Sequence, residues 1–249
     1  HSFDKHNRVE RSEYMGASEI GRPGFRYKED FERPAEELVE SYRSLMKKTG
    51  CLTGNVGDCI GRVAAMDARI KNLAHGMKAV GPALTVRVPP TDNLMIHKAL
   101  TLIKPGDVLV IDGGGNHSWA LMGWLMVSTA IKLGVAGIVA DGCVRDAQEI
   151  RASGFPLFCA GLSPNGPFKE GPGEINFPIS CGGQVVHPGD MIISDDDGVV
   201  VLQKASAGTV IDKVYQVIQR EENRLKEIAD GQVIRPGIDE MLAQKGITP

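Results

Sequence analysis

The stretch Gly134-Val135-Ala136-Gly137-Ile138-Val139-Ala140-Asp141-Gly142-Cys143-Val144-Arg145-Asp146 decides how the chain is read. Val135–Ala140 is a short apolar run of the kind that forms a buried strand. Asp141-Gly142 closes it, and Arg145-Asp146 stands where a short helix opens, running through about Ala152. A second strand precedes it. The turn Pro105-Gly106-Asp107 launches Val108-Leu109-Val110-Ile111, and Asp112-Gly113-Gly114-Gly115 follows directly. The residues from there to Leu133 are expected to be helical. Strand, helix, strand, with polar groups at the carboxyl ends of the strands, is where α/β proteins place ligands.

Outward from this unit, Pro34 suits the first turn of a helix to about Lys48, with Gly50 as its C-terminal cap. A strand is expected over Ala83–Val88, and Thr91 or Asp92 caps a helix through about Ile103. After Gly154 the pattern turns to short strands at 156–159, 174–179, 184–186, 191–194 and 199–202, a second mixed or antiparallel layer. Pro188-Gly189-Asp190 echoes Pro105-Gly106-Asp107, which is one turn solution used twice rather than a duplication. A long amphipathic helix from about Ala205 to Ala229 ends at Gly231. The expected organisation is an arm over 1–32, one α/β domain over 33–231 and a tail over 232–249.

With 249 residues, 42% hydrophobic and 24% charged, the composition is that of an ordinary globular protein. Lys and Arg number 28 against 31 Asp and Glu, a net charge of −3, which argues against a nucleic-acid partner. No apolar run approaches the roughly 18 residues of a membrane helix, and the polar start lacks an apolar signal-peptide centre. Cys51, Cys59, Cys143, Cys159 and Cys181 are odd in number and widely spaced. Reduced thiols in a cytoplasmic protein are therefore expected, not a disulfide framework or a structural zinc site.

Two segments hold candidate chemistry. Gly113–Gly115 matches the dinucleotide pattern G-x-G-x-x-G only in part, because Ser118 stands at the third glycine. These glycines are better read as letting the backbone approach another element or a small ligand. The segment from Asp141 to Asp146 offers a hard oxygen ligand suited to Mg²⁺ and a guanidinium able to grip a carboxylate or enolate oxygen. The plainer reading of the same residues is a helix cap with a surface ion pair.

Asp112–Gly115, Ala120-Leu121-Met122-Gly123, Gly134–Gly142 and Val144-Arg145-Asp146, in this order, resemble the RraA-like family. Its enzymes include 4-hydroxy-4-methyl-2-oxoglutarate aldolase, also called 4-carboxy-4-hydroxy-2-oxoadipate aldolase. Asp92-Asn93-Leu94 with His97–Leu100 upstream, and Gly154–Phe158 with Pro188–Val199 downstream, extend the likeness over roughly residues 50–230. The resemblance implies a stacked-sheet α/β fold of the swivelling β/β/α type, assembled as a homotrimer or homohexamer. It implies a divalent cation, Mg²⁺ or another such as Mn²⁺, and cleavage or decarboxylation of an α-keto acid through a pyruvate enolate. By the same resemblance Asp146 is the metal ligand and Arg145 holds the keto or enolate oxygen. The loop from Gly123 offers the Leu125 and Met126 N–H groups to the pyruvate carboxylate, a role orphan N–H groups at a helix start suit.

Aldolases of the family usually have Asp or Glu directly after the glycine at Gly123; this chain has Trp124. Indole transfers no protons, so an aldolase activity needs another base. His117, in the glycine-rich segment, is the candidate, against the plainer reading of a surface histidine. Trp119 and Trp124 are expected to wall a pocket or a subunit contact, and Cys143 to be a buried spectator. The function expected is a metal-dependent lyase. The alternative is a non-catalytic regulator like the family members that bind ribonuclease E.

Overall fold

Val108-Leu109-Val110-Ile111 does not alternate with polar residues because both faces of its strand are buried. In the computed structural model, which describes residues 18–247, Leu109 and Ile111 face one core cluster while Val108 and Val110 face another. The elements begin with β1 (Glu19–Arg22), β2 (Phe25–Lys28), α1 (Glu36–Thr49), α2 (Thr53–Cys59), β3 (Lys71–Asn72) and β4 (Ala79–Arg87). The central unit is α3 (Leu94–Ala99), β5 (Val108–Met122), α4 (Trp124–Lys132), β6 (Gly137–Val144), α5 (Ala147–Ser153) and β7 (Leu157–Leu162). The remainder is β8 (Gly173–Ile175), β9 (Ile179–Cys181), β10 (Gln184–Val186), β11 (Met191–Asp195), β12 (Gly198–Leu202), α6 (Lys204–Ala229) and α7 (Ile238–Ala243).

Strands β4, β5, β6 and β7 run parallel, and the sheet order is β1-β2-β8-β4-β5-β6-β7-β3. Strand β4 serves two layers. Ala79–Pro82 pairs antiparallel with β11, and Ala83–Arg87 pairs with β5. At the crossing, a Cβ on Gly81 would lie 2.2 Å from the Gly106 carbonyl oxygen, so a side chain there does not fit. Between the layers, Ile192, Val199 and Val201 pack with Ala83, Val108, Val110 and Val139. On the far side Met191, Ile193, Val200 and Leu202 meet α1, α2 and α6. On the near side α3, α4 and α5 cover Leu84, Leu109, Ile111 and Ile138. The result is two stacked β layers between two helical layers, a mixed α/β fold as expected.

The two Pro-Gly-Asp turns are the same device. Asp107 Oδ2 accepts the Lys104 N–H at 2.9 Å and Asp190 Oδ2 accepts the His187 N–H at 2.8 Å, each from three residues back. Gly50 caps α1 in the left-handed conformation, as expected.

Two expectations need correction. Residues 116–122 are strand, not helix, because Ala120, Leu121 and Met122 return to the sheet and are fully buried there; α4 starts only at Trp124. The 174–179 strand is two pieces, broken where Asn176 takes φ 62°. Of the arm, residues 1–17 lie outside the described residues, but β1 and β2 form a hairpin whose inner strand pairs with β8. Arg26 of that hairpin meets the buried Glu174 carboxylate at 2.7 Å. In the tail, α7 buries none of its residues. Among the described residues no helix is long and apolar enough to cross a membrane.

Helix α2 has no side-chain cap of its own. Its first N–H groups are satisfied from β11: the fully buried Asp195 accepts Leu52 N–H at 2.8 Å, Thr53 N–H at 2.9 Å and the Thr53 hydroxyl at 2.7 Å. Asp195→Ala leaves these donors buried and unpaired, at about 1–3 kcal/mol each when uncompensated. The variant is expected to lose about 3–5 kcal/mol in urea unfolding; a loss under about 1 kcal/mol would show that water replaces the carboxylate.

Candidate functional site

Strands β5 and β6 are parallel neighbours, and their last residues, Met122 and Val144, are register partners. Gly123 and Arg145-Asp146 therefore leave the sheet side by side, and the Arg145 N–H donates to the Met122 carbonyl at 3.0 Å. Asp146 takes the left-handed conformation, φ 59° and ψ 41°, which is uncommon outside glycine and clusters at functional sites. It precedes α5 but does not cap it. Its Oδ2 instead accepts the Trp124 N–H at 2.8 Å, so the carboxylate of one strand end anchors the helix start of the other. The Asp146 Oδ1 has no hydrogen-bond partner among the described residues.

Gly123 is what permits this approach. A Cβ there would lie 2.2 Å from Asp146 Oδ2 and 2.9 Å from Arg145 Cγ. At the start of α4 the Met126 N–H is used by the Gly123 carbonyl at 3.1 Å, while the Leu125 N–H makes no hydrogen bond among the described residues. Leu125 itself is 82% exposed. Of the two N–H groups that the resemblance singles out, Leu125 is the one left uncommitted among the described residues. The Arg145 guanidinium is half exposed, with Nε 3.9 Å from Asp146 Oδ2. The Arg145 guanidinium beside one uncommitted N–H can grip an anionic, keto-bearing molecule.

Among the described residues no three His, Cys, Asp or Glu side chains converge. Asp146 thus offers one carboxylate with an unshared oxygen. That suits Mg²⁺, which keeps several waters and binds proteins through one or two carboxylates.

His117 is exposed on an excursion of β5, His117–Trp119, that leaves the β6 register between Asn116 and Ala120. It makes no hydrogen bond to Arg145 or Asp146. A Cβ built on Gly161 would lie 3.9 Å from His117 Nδ1. Trp124 is half-buried and packs against the main core cluster, so the family's acidic position is occupied here by a packing group. Trp119 stacks on Phe168, ring centroids 5.3 Å apart. Cys143 is buried, and burial pushes its thiol above the ordinary value, in keeping with a buried spectator. In the glycine-rich excursion Gly113–Gly115 the backbone comes close to another part of its own strand. A Cβ on Gly113 would meet Leu121 Cδ1 at 2.4 Å.

Asp141 is not a ligand in waiting. It is buried, receives both contacts of Arg69 Nη2 at 2.8 and 3.0 Å, and accepts the Gly182 N–H at 2.9 Å. Next to it, burial raises the Asp112 carboxyl above its usual range. Sequence reasoning missed the 163–168 loop. Asn165 O accepts the Ala120 N–H at 2.8 Å, and a Cβ on Gly166 would lie 2.6 Å from Arg145 Nη1. The loop is therefore held over the guanidinium. Pro164-Asn165-Gly166 is a turn signal that points to it. Asn93, quoted above only as a motif residue, is buried beneath α4, where its Nδ2 donates to Leu121 O at 3.0 Å while its Oδ1 has no partner among the described residues.

The RraA-like family model, described as Aldolase/RraA, matches residues 51–201. A putative 4-hydroxy-4-methyl-2-oxoglutarate aldolase of Halalkalibacterium halodurans is 38% identical over 207 residues, 83% of this chain and 96% of the relative. A 4-hydroxy-4-methyl-2-oxoglutarate aldolase of Thermus thermophilus is 32% identical, covering 63% of this chain and 94% of its own. Among solved structures, Streptomyces coelicolor RraAS2, described as an unusual member of the RNase ES inhibitor RraA protein family, superposes with a TM-score of 0.67. It shares 28% identity, over 78% of this chain and 98% of that one.

Gly123→Ala is a sharp test of the geometry. The added methyl must displace the Asp146 carboxylate or break its bond to Trp124, and a shift of about 1 Å costs on the order of 10²-fold in a positioned site. The variant is expected to keep its circular dichroism spectrum but to lose about that factor in any turnover the site supports. Unchanged turnover would mean that the carboxylate's position is irrelevant.

Proposed function

The chain belongs to the RraA-like family, and from that premise we propose that it is a divalent-metal-dependent lyase acting on an α-keto acid, cleaving the carbon–carbon bond between the carbons α and β to the keto group so that an enolate is left. The observation that supports this most is the left-handed Asp146, with one carboxylate oxygen fixed by the Trp124 N–H and the other uncommitted beside Arg145. A purely structural cap has no use for that second oxygen.

In this reading Asp146 holds Mg²⁺ or Mn²⁺, which when bound polarises the substrate's keto oxygen as a Lewis acid. The Leu125 N–H and the positive end of the α4 dipole receive the substrate carboxylate. Arg145 stands at the keto oxygen, where negative charge grows as the bond breaks and an enolate of pyruvate forms. A cation aimed there stabilises the enolate more than the neutral ketone, and that difference lowers the barrier. Carbonyl polarisation of this kind needs no Schiff-base lysine. The 163–168 loop over Arg145 limits the guanidinium's rotamers and holds it toward the substrate.

Trp124 sets which substrate is cleaved. Decarboxylation of oxaloacetate moves the electrons of the breaking bond onto the keto group and releases CO₂, with no hydroxyl proton to remove. Retro-aldol cleavage of a tertiary alcohol requires that proton to be taken by a base. General-base help is worth about 10²–10⁴-fold, so an indole at the acidic position favours decarboxylation. The same indole is the observation that favours the second reading, a non-catalytic regulator. Metal-dependent turnover of any 2-oxo acid separates the two.

Asp146→Ala, and the gentler Asp146→Asn that tolerates the left-handed backbone, are expected to abolish Mg²⁺-dependent pyruvate release without unfolding the chain. Wild-type turnover or unchanged Mg²⁺ affinity in both would overturn the metal assignment.

A second expectation concerns position 124. The wild-type protein decarboxylates oxaloacetate but cleaves 4-hydroxy-4-methyl-2-oxoglutarate poorly, and Trp124→Asp raises the aldolase-to-decarboxylase ratio. Robust wild-type aldolase activity would sink this reading and make His117 the first base to test.

A further inference from the structure

On the helical layer farthest from Arg145 and Asp146, the end of α2, the second half of α6 and the segment after α6 enclose a cleft of about 470 Å³. Arg62, Arg220, Arg224 and Arg235 line it, against only two acids, Asp58 and Glu221. The cleft has a net charge of +2, while the chain as a whole has −3.

Both acids are already engaged. Asp58 Oδ1 accepts Arg62 Nε at 2.7 Å, and Glu221 Oε2 accepts Asn55 Nδ2 at 2.6 Å. Arg224 reaches Glu227 at 2.8 Å and donates to the Val233 carbonyl at 3.2 Å. The second bond folds the segment bearing Arg235 back onto α6. Arg220 donates only to the Gln216 carbonyl of its own helix, at 3.2 Å. Among the described residues neither Arg220 nor Arg235 has a carboxylate within salt-bridge distance. Arg220 and Arg224 are also four apart on one helix, a like-charge pair that weakens the helix in the absence of an anion.

Guanidinium forks gathered in a concave site raise the local potential and match the oxygens of a phosphoryl group. The volume is that of a small-molecule site, larger than one inorganic anion requires. We propose that this cleft binds a small molecule through a phosphoryl group, at a site distinct from the Arg145–Asp146 centre. The assignment stands on the cleft alone and does not depend on the lyase reading.

Calorimetric titration of the full chain with inorganic phosphate, pyrophosphate and glucose 6-phosphate tests it, with succinate as the carboxylate control. Saturable phosphoryl binding is expected, tighter than succinate. The double variant Arg220→Ala/Arg235→Ala, and the milder Arg220→Gln and Arg235→Gln singly, are expected to weaken it, the double by at least about tenfold, since charge-assisted hydrogen bonds are lost. Arg145→Ala is expected to leave it unchanged. Tighter binding of glucose 6-phosphate than of pyrophosphate identifies a phosphoester ligand, and the reverse order identifies free phosphates. The proposal is overturned if the wild type shows no saturable binding, if succinate binds equally well, or if binding is lost in Arg145→Ala but kept in the cleft variants.

Discussion

The hydrogen bond from the Trp124 N–H to the Asp146 carboxylate joins two chain segments that the sheet has already brought level. Around it three constraints meet. Strand pairing sets the height of Met122 and Val144, the missing Cβ of Gly123 sets the distance, and the left-handed backbone of Asp146 sets the direction. None of the three is sufficient alone. A charged acceptor at the first turn of α4 also answers the orphan N–H groups of that helix, so the bond that shapes the site is a folding interaction as well. The two strand ends are coupled through one carboxylate, of which one oxygen is held by the Trp124 N–H and the other is uncommitted among the described residues.

Much of this was legible in the sequence, for identifiable reasons. Wholly apolar runs such as Val108–Ile111 and Ile138–Ala140 mark strands buried on both faces, and the structure places them at the centre of the sheet. Gly50, Asp107 and Asp190 announce local turns whose geometry depends on few neighbours. Arg145 and Asp146 stood out because acid and guanidinium at a strand's carboxyl end are unusual company for an apolar run. What the sequence concealed is what distant pairing decides. Residues 116–122 have no alternation, because excursions interrupt the strand, and only the return of Leu121 beneath Gly113 and Gly142 fixes them. The hairpin at 19–28 is polar, and its place at the sheet edge depends on Glu174, some 150 residues later. The loop over Arg145 was invisible for the same reason.

The two helical layers divide the labour. Helices α4 and α5 begin at the ends of β5 and β6 and present their N-termini at the site, whereas α1, α2 and α6 close the opposite face. The shared strand β4 makes the layers mechanically continuous. Buried acids reinforce the joints: Asp195 ties β11 to α2, Asp190 ties the preceding turn to the start of α6, and Asp107 receives Arg33 through two contacts at 2.7 and 2.8 Å. Each accepts several N–H bonds, the condition under which a buried carboxylate is tolerated.

The excursions of β5 have an implication for how such a scaffold diversifies. Asp112 pairs with Asp141 and Met122 with Val144, so the ten positions from 113 to 122 are spanned by only three on β6. The extra chain is looped out as Gly113–Gly115 and His117–Trp119, while the register on either side is pinned. Residues can be added or removed in these loops without moving Gly123, Arg145 or Asp146. A lineage is thus at liberty to lengthen, shorten or rewrite the rim while the central atoms stay where they are. Evolutionary change of chain length in this architecture is expected to appear first between Asp112 and Ala120.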